Sequence, residues 1–440
     1  MDARGDHLGA EGRDRQLATA GLARVVDVKP LVFNANNSAT GVVELLHLAD
    51  GSEVVRKVLR SDAEVVVPHW AAGSSGEHWN YWRREADAYL SRSSRSGSGQ
   101  DRTHQTGSQQ VAPDERRADQ IRADQTHSDE ASSRRRAPAA APQDSIIPSD
   151  GVRAPRLLAR VAPSPGVEVL FLEHVAGRSG PELDADDLAA VARGLGRWQG
   201  RRAAGTIEQL HGVRHWWSRD WMWRYARSRP VRSADYEDTG AWANPLVREG
   251  FGDSLERIRS GFGVLHGELD RWAKVAAGLP VAPAHQDTWA NNVVLPSGGG
   301  GEVVLLDWSF CGAAHVGADA GNLVPDGLLD HYGEPGSYAA SDRLVTYSYL
   351  SGLADGGWAG SGRRESEDLV RLGMCLAPVK FAWLPAHMVA NADWTGPTGY
   401  GGQEGIDHLS VFRRRAIVFE AMLDQIDEAR SLAARHGLWN

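Results

Sequence analysis

Residues 284–308 of the chain read AHQDTWANNVVLPSGGGGEVVLLDW. Two short apolar runs, at residues 293–295 and 303–306, flank a loop with four consecutive glycines. Apolar runs of this length around a glycine-containing loop are typical of a β-hairpin. The stretch therefore predicts a short hairpin with polar residues at its open end.

These polar residues have the chemistry of a metal site. Symmetric pairing about the loop places Val293 opposite Leu306, and therefore Asn292 opposite Asp307. Directly opposed residues have Cβ atoms about 4.5–5.5 Å apart, so an amide oxygen and a carboxylate can share one cation. Oxygen ligands suit Mg²⁺. Asp287, on the loop that enters the hairpin, supplies a second carboxylate that is free to act on a substrate hydroxyl.

The same stretch resembles the catalytic block of the aminoglycoside phosphotransferase/choline kinase family, small-molecule kinases with a protein-kinase-like fold. Residues 285–292 match the family's catalytic loop, His-x-Asp-x-x-x-x-Asn, and residues 305–308 match its apolar strand ending in Asp-Trp. Residues 317–323 match a later stretch more loosely, with Asp319 at the position of its aspartate. The resemblance implies an α+β fold with a small β-rich N-terminal lobe and a larger, mainly helical C-terminal lobe.

The resemblance also implies roles for the matched residues of the hairpin. Asp287 would be the catalytic aspartate that orients the acceptor hydroxyl and takes its proton. Asn292 and Asp307 would hold Mg²⁺ on the phosphates of ATP or GTP. These roles agree with phosphoryl-transfer chemistry, which needs positioning and charge neutralisation more than covalent help. The implied partners are a nucleotide and a small molecule that carries a hydroxyl group.

Four further residues take implied roles outside the metal site. Lys57, in a strand of the N-terminal lobe, matches the lysine that contacts the α- and β-phosphates, and Glu85 matches its partner on the following helix. His285 and Asp319 would support the catalytic loop.

The chain departs from the family's pattern at three places. Gln286 stands where glycine is usual, and Trp289 where histidine or smaller residues are common. Residues 34–41 contain a single glycine, so a glycine-rich phosphate loop is absent from the sequence. The first two departures bear on the acceptor pocket and the third on the nucleotide loop.

The rest of the chain divides by pattern into lobes and linkers. Strands are expected at residues 25–33, 42–46, 54–59, 157–161 and 167–172. Helical spacing begins at residues 78–90 and returns after Asp184, a predicted N-cap with Asp187 in the first turn. The expected organisation is a disordered N-terminus at 1–20, a β-rich N-terminal lobe at 21–90 and 150–178, a disordered insertion at 91–149, and a helical C-terminal lobe at 179–440 that carries the catalytic hairpin at 284–308.

Composition narrows the function classes and the compartment. The 440 residues include 48 Lys and Arg against 57 Asp and Glu, a formal net charge of −9, which argues against a general nucleic-acid binder. Two cysteines cannot build a disulfide framework, and the first twenty residues lack an apolar signal region, so a cytoplasmic location is expected. The apolar stretch at residues 376–390 is broken by two prolines, a lysine and a histidine, so no membrane partner is expected.

Three other functions stay open at this point. One is a catalytically silent kinase-fold module that binds a nucleotide. The complete set of matched polar residues argues against it. Another is a peptide or protein kinase, although nothing between residues 307 and 319 resembles an activation segment. The third is a hydrolase metal site at His285 and Asp287, for which His315 is the only close additional ligand.

Two groups of side chains are expected to be structural. Arg56, and Arg83 or Arg84, lie in the opposite register to Lys57 and Glu85 and are expected to be solvated. The tryptophans of residues 216–223 are most simply explained by helix packing, with a stacking wall for an acceptor ring as the alternative.

The insertion yields the first testable prediction. Between residues 91 and 145 only Val111 and Ile121 are large apolar residues, too few to offset the chain entropy of folding. Deleting residues 95–143 should therefore leave the melting temperature and the nucleotide affinity nearly unchanged, since loop-closure entropy grows slowly with length. Thermal unfolding and nucleotide titration of the deletion variant measure both. A cooperative loss of stability would show that the segment packs against the lobes.

Overall fold

The structure of the chain, a computed structural model, describes residues 9–34, 36–61, 65, 67–93, 145–298, 301–393 and 406–439. Its strands are β1 (Val25–Pro30), β2 (Thr40–Leu48), β3 (Glu53–Arg60), β4 (Ser149–Asp150), β5 (Val152–Arg153), β6 (Leu157–Ser164), β7 (Val167–Glu173), β8 (Gly177–Ser179), β9 (Val281–Ala284), β10 (Val293–Pro296), β11 (Val304–Leu305) and β12 (Gly312–His315). Its α-helices are α1 (Gly9–Thr19), α2 (Arg84–Ser93), α3 (Ala185–Gly200), α4 (Trp221–Ser228), α5 (Ala234–Glu237), α6 (Thr239–Trp242), α7 (Pro245–Phe251), α8 (Leu255–Gly267), α9 (Leu269–Ala277), α10 (Ala318–Leu329), α11 (Tyr338–Asp355), α12 (Arg364–Cys375), α13 (Leu384–Ala390) and α14 (His408–Arg435). The smaller, β-rich N-terminal part and the larger, mainly helical C-terminal part confirm the predicted α+β fold class.

The N-terminal lobe is built on one antiparallel sheet with the strand order β1-β2-β3-β7-β6. The five strands predicted from the sequence all belong to it. Strand β7 pairs with β3 along its whole length, from Val54 opposite Glu173 to Arg60 opposite Val167. The two chain segments of the lobe are therefore joined through the sheet itself.

Successive side chains of β3 point to opposite faces of this sheet. On one face, Val54 and Val58 pack in an apolar cluster with Leu17 of α1. Between them lies Arg56, fully buried, whose Nε donates to the Gln16 side-chain oxygen at 3.1 Å. The expectation that Arg56 is solvated is therefore wrong, because α1 covers this face and the guanidinium is paired with Glu44 of β2 at 2.8 Å.

Helix α1 also corrects the expectation of a disordered N-terminus at residues 1–20. Residues 9–19 are helical and include a single large apolar residue, Leu17, which is 1% exposed. Composition gave no signal here because the helix depends on tertiary contacts with the sheet, including an ion pair of Arg13 with Glu44 at 3.1 Å. Residues 1–8 lie outside the described part of the chain.

The boundaries of the predicted insertion at 91–149 are narrower in the structure. Helix α2 continues to Ser93, and residues 94–144 lie outside the described residues. Ile146 and Ile147, which were assigned to the insertion, are buried in the main hydrophobic core. Helix α2 itself begins later than the predicted helix at 78–90, because residues 74–83 form turns.

The predicted catalytic hairpin belongs to a larger sheet than the sequence indicated. Strands β10 and β11 lie in a five-stranded sheet with the order β4-β5-β11-β10-β8. Three of these strands come from residues 149–153 and 177–179, which were assigned mostly to the N-terminal lobe. A two-stranded hairpin is marginally stable alone, which gives a physical reason for the added strands. The hairpin is thereby joined to the chain segments directly before β6 and directly after β7.

The helical lobe packs closely around α3 and α11. The side chain of Asp184 accepts a hydrogen bond from the Asp187 N–H at 2.9 Å, and Asp187 accepts one from the Asp184 N–H at 3.1 Å, so the predicted N-cap is a full capping box. A Cβ at Gly352 of α11 would meet the backbone oxygen of Arg193 at 2.2 Å, so only glycine permits this helix contact.

One described stretch, Arg364–Ala390, is long and apolar enough by length and composition to cross a membrane. It contains α12 and α13, and 78% of its most apolar window is buried inside the protein. Burial of this kind is typical of core helices, and α12 and α14 contact each other in the core.

Candidate active site

A cleft of about 550 Å³ opens between the N-terminal sheet and the hairpin. The side chains predicted to bind the nucleotide, the metal and the acceptor hydroxyl all line it, namely Lys57, Glu85, Asp287, Asn292 and Asp307. Residues separated by 250 positions in the chain are thus brought to one cavity by the fold.

Lys57 occupies the centre of a buried charge cluster on the inner face of β3. Its Nζ lies 2.6 Å from Glu85 Oε2 and 2.8 Å from Asp307 Oδ1. The side chains of Lys57 and Glu85 are 7% and 1% exposed, whereas that of Asp307 is 37% exposed. Burial alone would lower the pKa of Lys57, but Asp307 and Glu85 hold it above its ordinary value. The lysine is therefore charged, and Asp307 is the member of the cluster that is open to the cleft.

The register of the hairpin differs from the predicted one by one residue. Val293 pairs with Leu305 rather than with Leu306, and the Leu306 N–H donates to the backbone oxygen of Asn292 at 2.8 Å. Pairing of Val293 with Leu306, on which the predicted approach of Asn292 to Asp307 was based, is therefore wrong. A one-residue slip turns side chains to the other face of a strand.

The backbone at Asp307 has an unusual conformation. Asp307 lies just after β11 in a left-handed conformation, with φ 54° and ψ 75°. Aspartate tolerates this region better than most residues, at a cost of about 1–3 kcal/mol. The turn directs Oδ1 to Lys57, and the same oxygen accepts a hydrogen bond from the Ser309 N–H at 3.3 Å. Burial tends to raise the pKa of Asp307, but the Lys57 ammonium outweighs it and keeps that pKa below its ordinary value.

Asp287 lies opposite this cluster and is held by Asn292. The Nδ2 of Asn292 donates to the Asp287 carboxylate and to its backbone oxygen, each at 2.9 Å. Burial raises the pKa of Asp287 to about 7; Lys380 opposes this rise, and the carboxylates of Asp326 and Asp307 add to it. Asp287 is thus a carboxylate that can bind a proton near neutral pH.

The loop before Asp287 is fixed by Asp319, at the start of α10. Its carboxylate accepts from the backbone N–H groups of His285 at 2.9 Å and Gln286 at 2.7 Å. The ring of His285 is hydrogen-bonded through Nε2 to the backbone oxygen of Leu306 at 2.7 Å, which ties the loop to the residue before Asp307. The structure thus places His285 and Asp319 where they support the loop.

The departure at Gln286 has a structural explanation. Its φ is 68°, the left-handed region in which glycine is unstrained. The side-chain amide of Gln286 donates to the backbone oxygens of Ser218 at 3.1 Å and Ala313 at 3.4 Å. These bonds anchor a side chain that glycine would lack, and they connect this loop to the segment before α4 and to β12.

Arg83 or Arg84 was expected to be solvated, and for Arg84 this is wrong. Its guanidinium is fully buried and donates to five backbone oxygens at 2.6–3.1 Å, which belong to Gly76, His78, Trp79, Trp216 and Ser309. All five N–H groups of an arginine are used in this way. Arg84 therefore connects the loop before α2 to the C-terminal lobe beside the charge cluster. Arg83 is partly exposed and pairs with Glu168 at 3.0 Å.

Two further residues that line the cleft were not predicted from the sequence. Lys380 and Asp326 both line it, and Lys380 Nζ lies 2.5 Å from Asp326 Oδ2. The only signal in the sequence was a single lysine within the apolar run at residues 376–382.

The tryptophans of residues 216–223 are buried, as expected for packing residues. Trp221 and Tyr225 also border the cleft, with ring centroids 5.1 Å apart. Trp221 therefore both packs in the interior and forms part of the wall of the cleft.

The donor set of the cleft fits a hard cation. The carboxylate of Asp307 and the side-chain amide of Asn292 line one cavity, and both present the oxygen chemistry that Mg²⁺ prefers. Across the described ranges, no group of three or more His, Cys, Asp or Glu side chains could hold a metal ion. The nitrogen Nε2 of His315 lies 3.1 Å from the backbone oxygen of Gly373, so its contacts do not favour the hydrolase alternative.

Comparisons with known proteins were made at three levels. No protein-family model matches the sequence, and no curated protein matches it. Solved structures that align with the chain include an amicoumacin kinase in complex with AMP-PNP and Ca²⁺, with 12% identity, 96% of this chain and 94% of that chain covered, and a TM-score of 0.42.

Two further aligned structures are also of kinases or phosphotransferases. A choline kinase from Cryptosporidium parvum has 10% identity, covers 94% of this chain and 91% of its own, and gives a TM-score of 0.42. A macrolide 2′-phosphotransferase from Brachybacterium faecium has 14% identity, covers 88% of this chain and 99% of its own, and gives a TM-score of 0.37. Similarity at this level assigns neither an activity nor a substrate to the chain.

The charge cluster predicts a specific pattern of stabilities. Replacing Lys57 by Met leaves Glu85 buried without a counter-charge, which should lower the free energy of unfolding by about 3–5 kcal/mol. The double variant Lys57→Met/Glu85→Gln should recover part of this loss, because the uncompensated charge is removed. Urea denaturation of the variants measures the differences.

The matched control is Arg413→Met. Arg413 pairs with Glu249 at 2.8 Å and the two side chains are 56% and 62% exposed, so its loss should cost about 1 kcal/mol or less. A double variant no more stable than Lys57→Met, or a Lys57→Met variant as stable as the control, would contradict the electrostatic account of the cluster.

Proposed function

We propose that the protein transfers the γ-phosphate of ATP, or of GTP, to a hydroxyl group of a small molecule. One observation carries this proposal: the Lys57–Glu85–Asp307 cluster and the Asp287–Asn292 pair line the same cleft. A fixed ammonium, a carboxylate open to solvent, and a second carboxylate with a raised pKa are the groups that phosphoryl transfer requires.

Each of these five residues has a part in this reaction. Lys57 binds the phosphates of the nucleotide, and Glu85 keeps its ammonium in place. Asp307 and Asn292 would hold Mg²⁺, which neutralises charge on the phosphates when it is bound. The acceptor oxygen forms a bond to the γ-phosphorus as the bond from that phosphorus to the β–γ bridging oxygen breaks. The bond's electron pair leaves with the nucleoside diphosphate, and the hydroxyl proton passes to Asp287.

The acceptor remains open among aminoglycoside-like compounds, sugars, amino-alcohols and biosynthetic intermediates. The wall of the cleft near Asp287 combines aromatic rings, Trp221 and Tyr225, with the carboxylates of Asp326 and Asp330. Such a wall supports a small molecule with both apolar and polar groups.

A protein acceptor is less well supported. The segment between Asp307 and Asp319 consists of a 3₁₀ turn, Trp308–Phe310, and the strand β12, and it is mostly buried. It offers no exposed segment on which a polypeptide substrate could lie. A nucleotide-binding module without turnover is the other alternative, and the same experiment separates it from an enzyme.

The direct test is a screen of hydroxyl-bearing compounds for release of ADP from ATP, or of GDP from GTP, in the presence of Mg²⁺. An acceptor that raises release above the rate with water alone, and that carries a new phosphate by mass spectrometry, supports the proposal. Nucleotide binding without phosphorylation of any compound would favour the silent module, and phosphorylation of polypeptides alone would favour a protein kinase.

Two substitutions should separate the roles of the carboxylates. Asp287→Asn should reduce kcat by about 10²–10⁴-fold, the usual contribution of a general base, with nucleotide affinity near that of the wild type. Asp307→Asn should instead weaken binding of AMP-PNP with Mg²⁺ by roughly tenfold or more, because it removes a charged ligand of the cation. Calorimetry and initial rates measure the two effects.

Asp186→Asn, on the exposed side of α3, is the control for removal of a carboxylate and should change neither quantity. Loss of nucleotide affinity in Asp287→Asn with turnover preserved, or unchanged affinity in Asp307→Asn, would overturn these assignments.

A further inference from the structure

A second buried lysine, Lys380, lines the cleft. Lys380 is 5% exposed, belongs to the short 3₁₀ helix Ala377–Phe381, and lines the cleft together with Asp287. Isolated ammonium groups are expensive to bury, so a lysine in an apolar run needs compensating groups.

Helix α10 provides these groups and links them to the catalytic loop. Lys380 Nζ donates to Asp326 Oδ2 at 2.5 Å and to Asn322 Oδ1 at 3.1 Å. Asn322 in turn donates from Nδ2 to the backbone oxygen of Thr288 at 3.0 Å, next to Asp287. Because a lysine ammonium has three N–H donors, these two bonds use two of them.

Aromatic rings surround the ammonium on its other sides. The ring centroids of Phe381 and Trp221 lie 5.0 Å and 5.3 Å from Nζ. Aromatic faces at such distances stabilise a cation and exclude water. Burial acts to lower the pKa of Lys380, but Asp326 and Asp287 hold it above its ordinary value, so the group carries a full charge at neutral pH.

Both lysines line the cleft that contains Asp287. Lys57 is held by Glu85 and Asp307, and Lys380 is held by Asp326 and Asn322. In phosphoryl transfer, charge is spread over the equatorial oxygens of the group in flight, between the leaving and attacking oxygens. A cation fixed beside the base is placed to meet that charge.

We propose that Lys380 is a further catalytic residue, whose ammonium donates a hydrogen bond to an oxygen of the phosphoryl group as it passes to the acceptor hydroxyl. The inference rests on the proposed function and adds a residue to it. Lys380 keeps all its protons; the acceptor's proton goes to Asp287, and the electron pair of the broken bond leaves with the nucleoside diphosphate. The preorganised ammonium stabilises the transition state more than the ground state.

The competing explanation is that Lys380 only braces Asp326 and α10. If Lys380 only holds Asp326 and α10 in place, its loss should weaken the binding of all ligands alike. If it contacts the transition state, its loss should weaken one kind of nucleotide complex much more than another. AMP-PNP with Mg²⁺ resembles the ground state, and ADP with Mg²⁺ and aluminium fluoride resembles the phosphoryl group in transfer. The ratio of the two affinities therefore separates the explanations without measuring turnover.

The experiment uses the full chain with Lys380→Met, and with Lys380→Gln as a second variant that removes the charge but keeps a hydrogen-bonding side chain. Binding of ADP and aluminium fluoride should weaken by about 10²–10³-fold, as for loss of one oxyanion donor, with AMP-PNP affinity near that of the wild type. In turnover with an acceptor from the screen, kcat should fall by a similar factor. Lys274→Met, at an exposed lysine of α9, is the matched control and should change none of these values.

The outcomes distinguish this inference from the proposed function. The wild-type protein could transfer phosphate while both Lys380 variants keep the wild-type affinity ratio and kcat. That result would overturn the role of Lys380 alone. Equal losses of both affinities would show a brace and overturn it as well. Wild-type protein that binds nucleotide but transfers phosphate to no compound would overturn the proposed function, and the role of Lys380 with it.

Discussion

The burial of a lysine ammonium between two carboxylates is the constraint on which the rest of the site depends. An uncompensated charge in the interior costs several kcal/mol, so Lys57 cannot be buried unless Glu85 and Asp307 reach it. These groups come from β3, from α2 and from the turn after β11. The N-terminal sheet, α2 and the hairpin must therefore lie close enough for these three charged groups to meet. The three side chains line the cleft.

Other buried cations around the cleft meet the same requirement by different means. Arg84 uses five backbone oxygens, and Lys380 uses a carboxylate, an amide and aromatic rings. Arg84 binds parts of both lobes, whereas Lys380 is held by α10 and lines the cleft. These contacts hold the charged groups in place before any ligand binds, which is the arrangement that the proposed function needs.

Local patterns predicted much of this arrangement. The apolar runs located the strands of the N-terminal sheet, and Asp184 marked the start of α3 through its capping box. The spacing around Asp287 identified side chains that do line one cleft. Each of these features is set by residues close in sequence, and for that reason a pattern could reveal it.

The features that the sequence did not predict depend on distant partners. Helix α1 is held by contacts with the sheet, and the hairpin register follows from added strands and the left-handed backbone at Asp307. Arg84 and Lys380 are charged residues that composition assigns to the surface, but their partners lie up to 225 positions away in the chain. The environment of a buried charge is a tertiary property, so short-range patterns carry little information about it.

The central claim is that the Lys57–Asp307 side of the cleft receives the nucleotide phosphates and their metal. A crystal structure of the protein with AMP-PNP and Mn²⁺, in which anomalous scattering locates the metal, tests it most directly. The account predicts an anomalous peak within bonding distance of oxygens of both Asp307 and Asn292, with Lys57 in contact with the phosphates and Asp287 facing the γ-phosphate. Nucleotide bound outside this cleft, or a metal with no contact to Asp307, would contradict it.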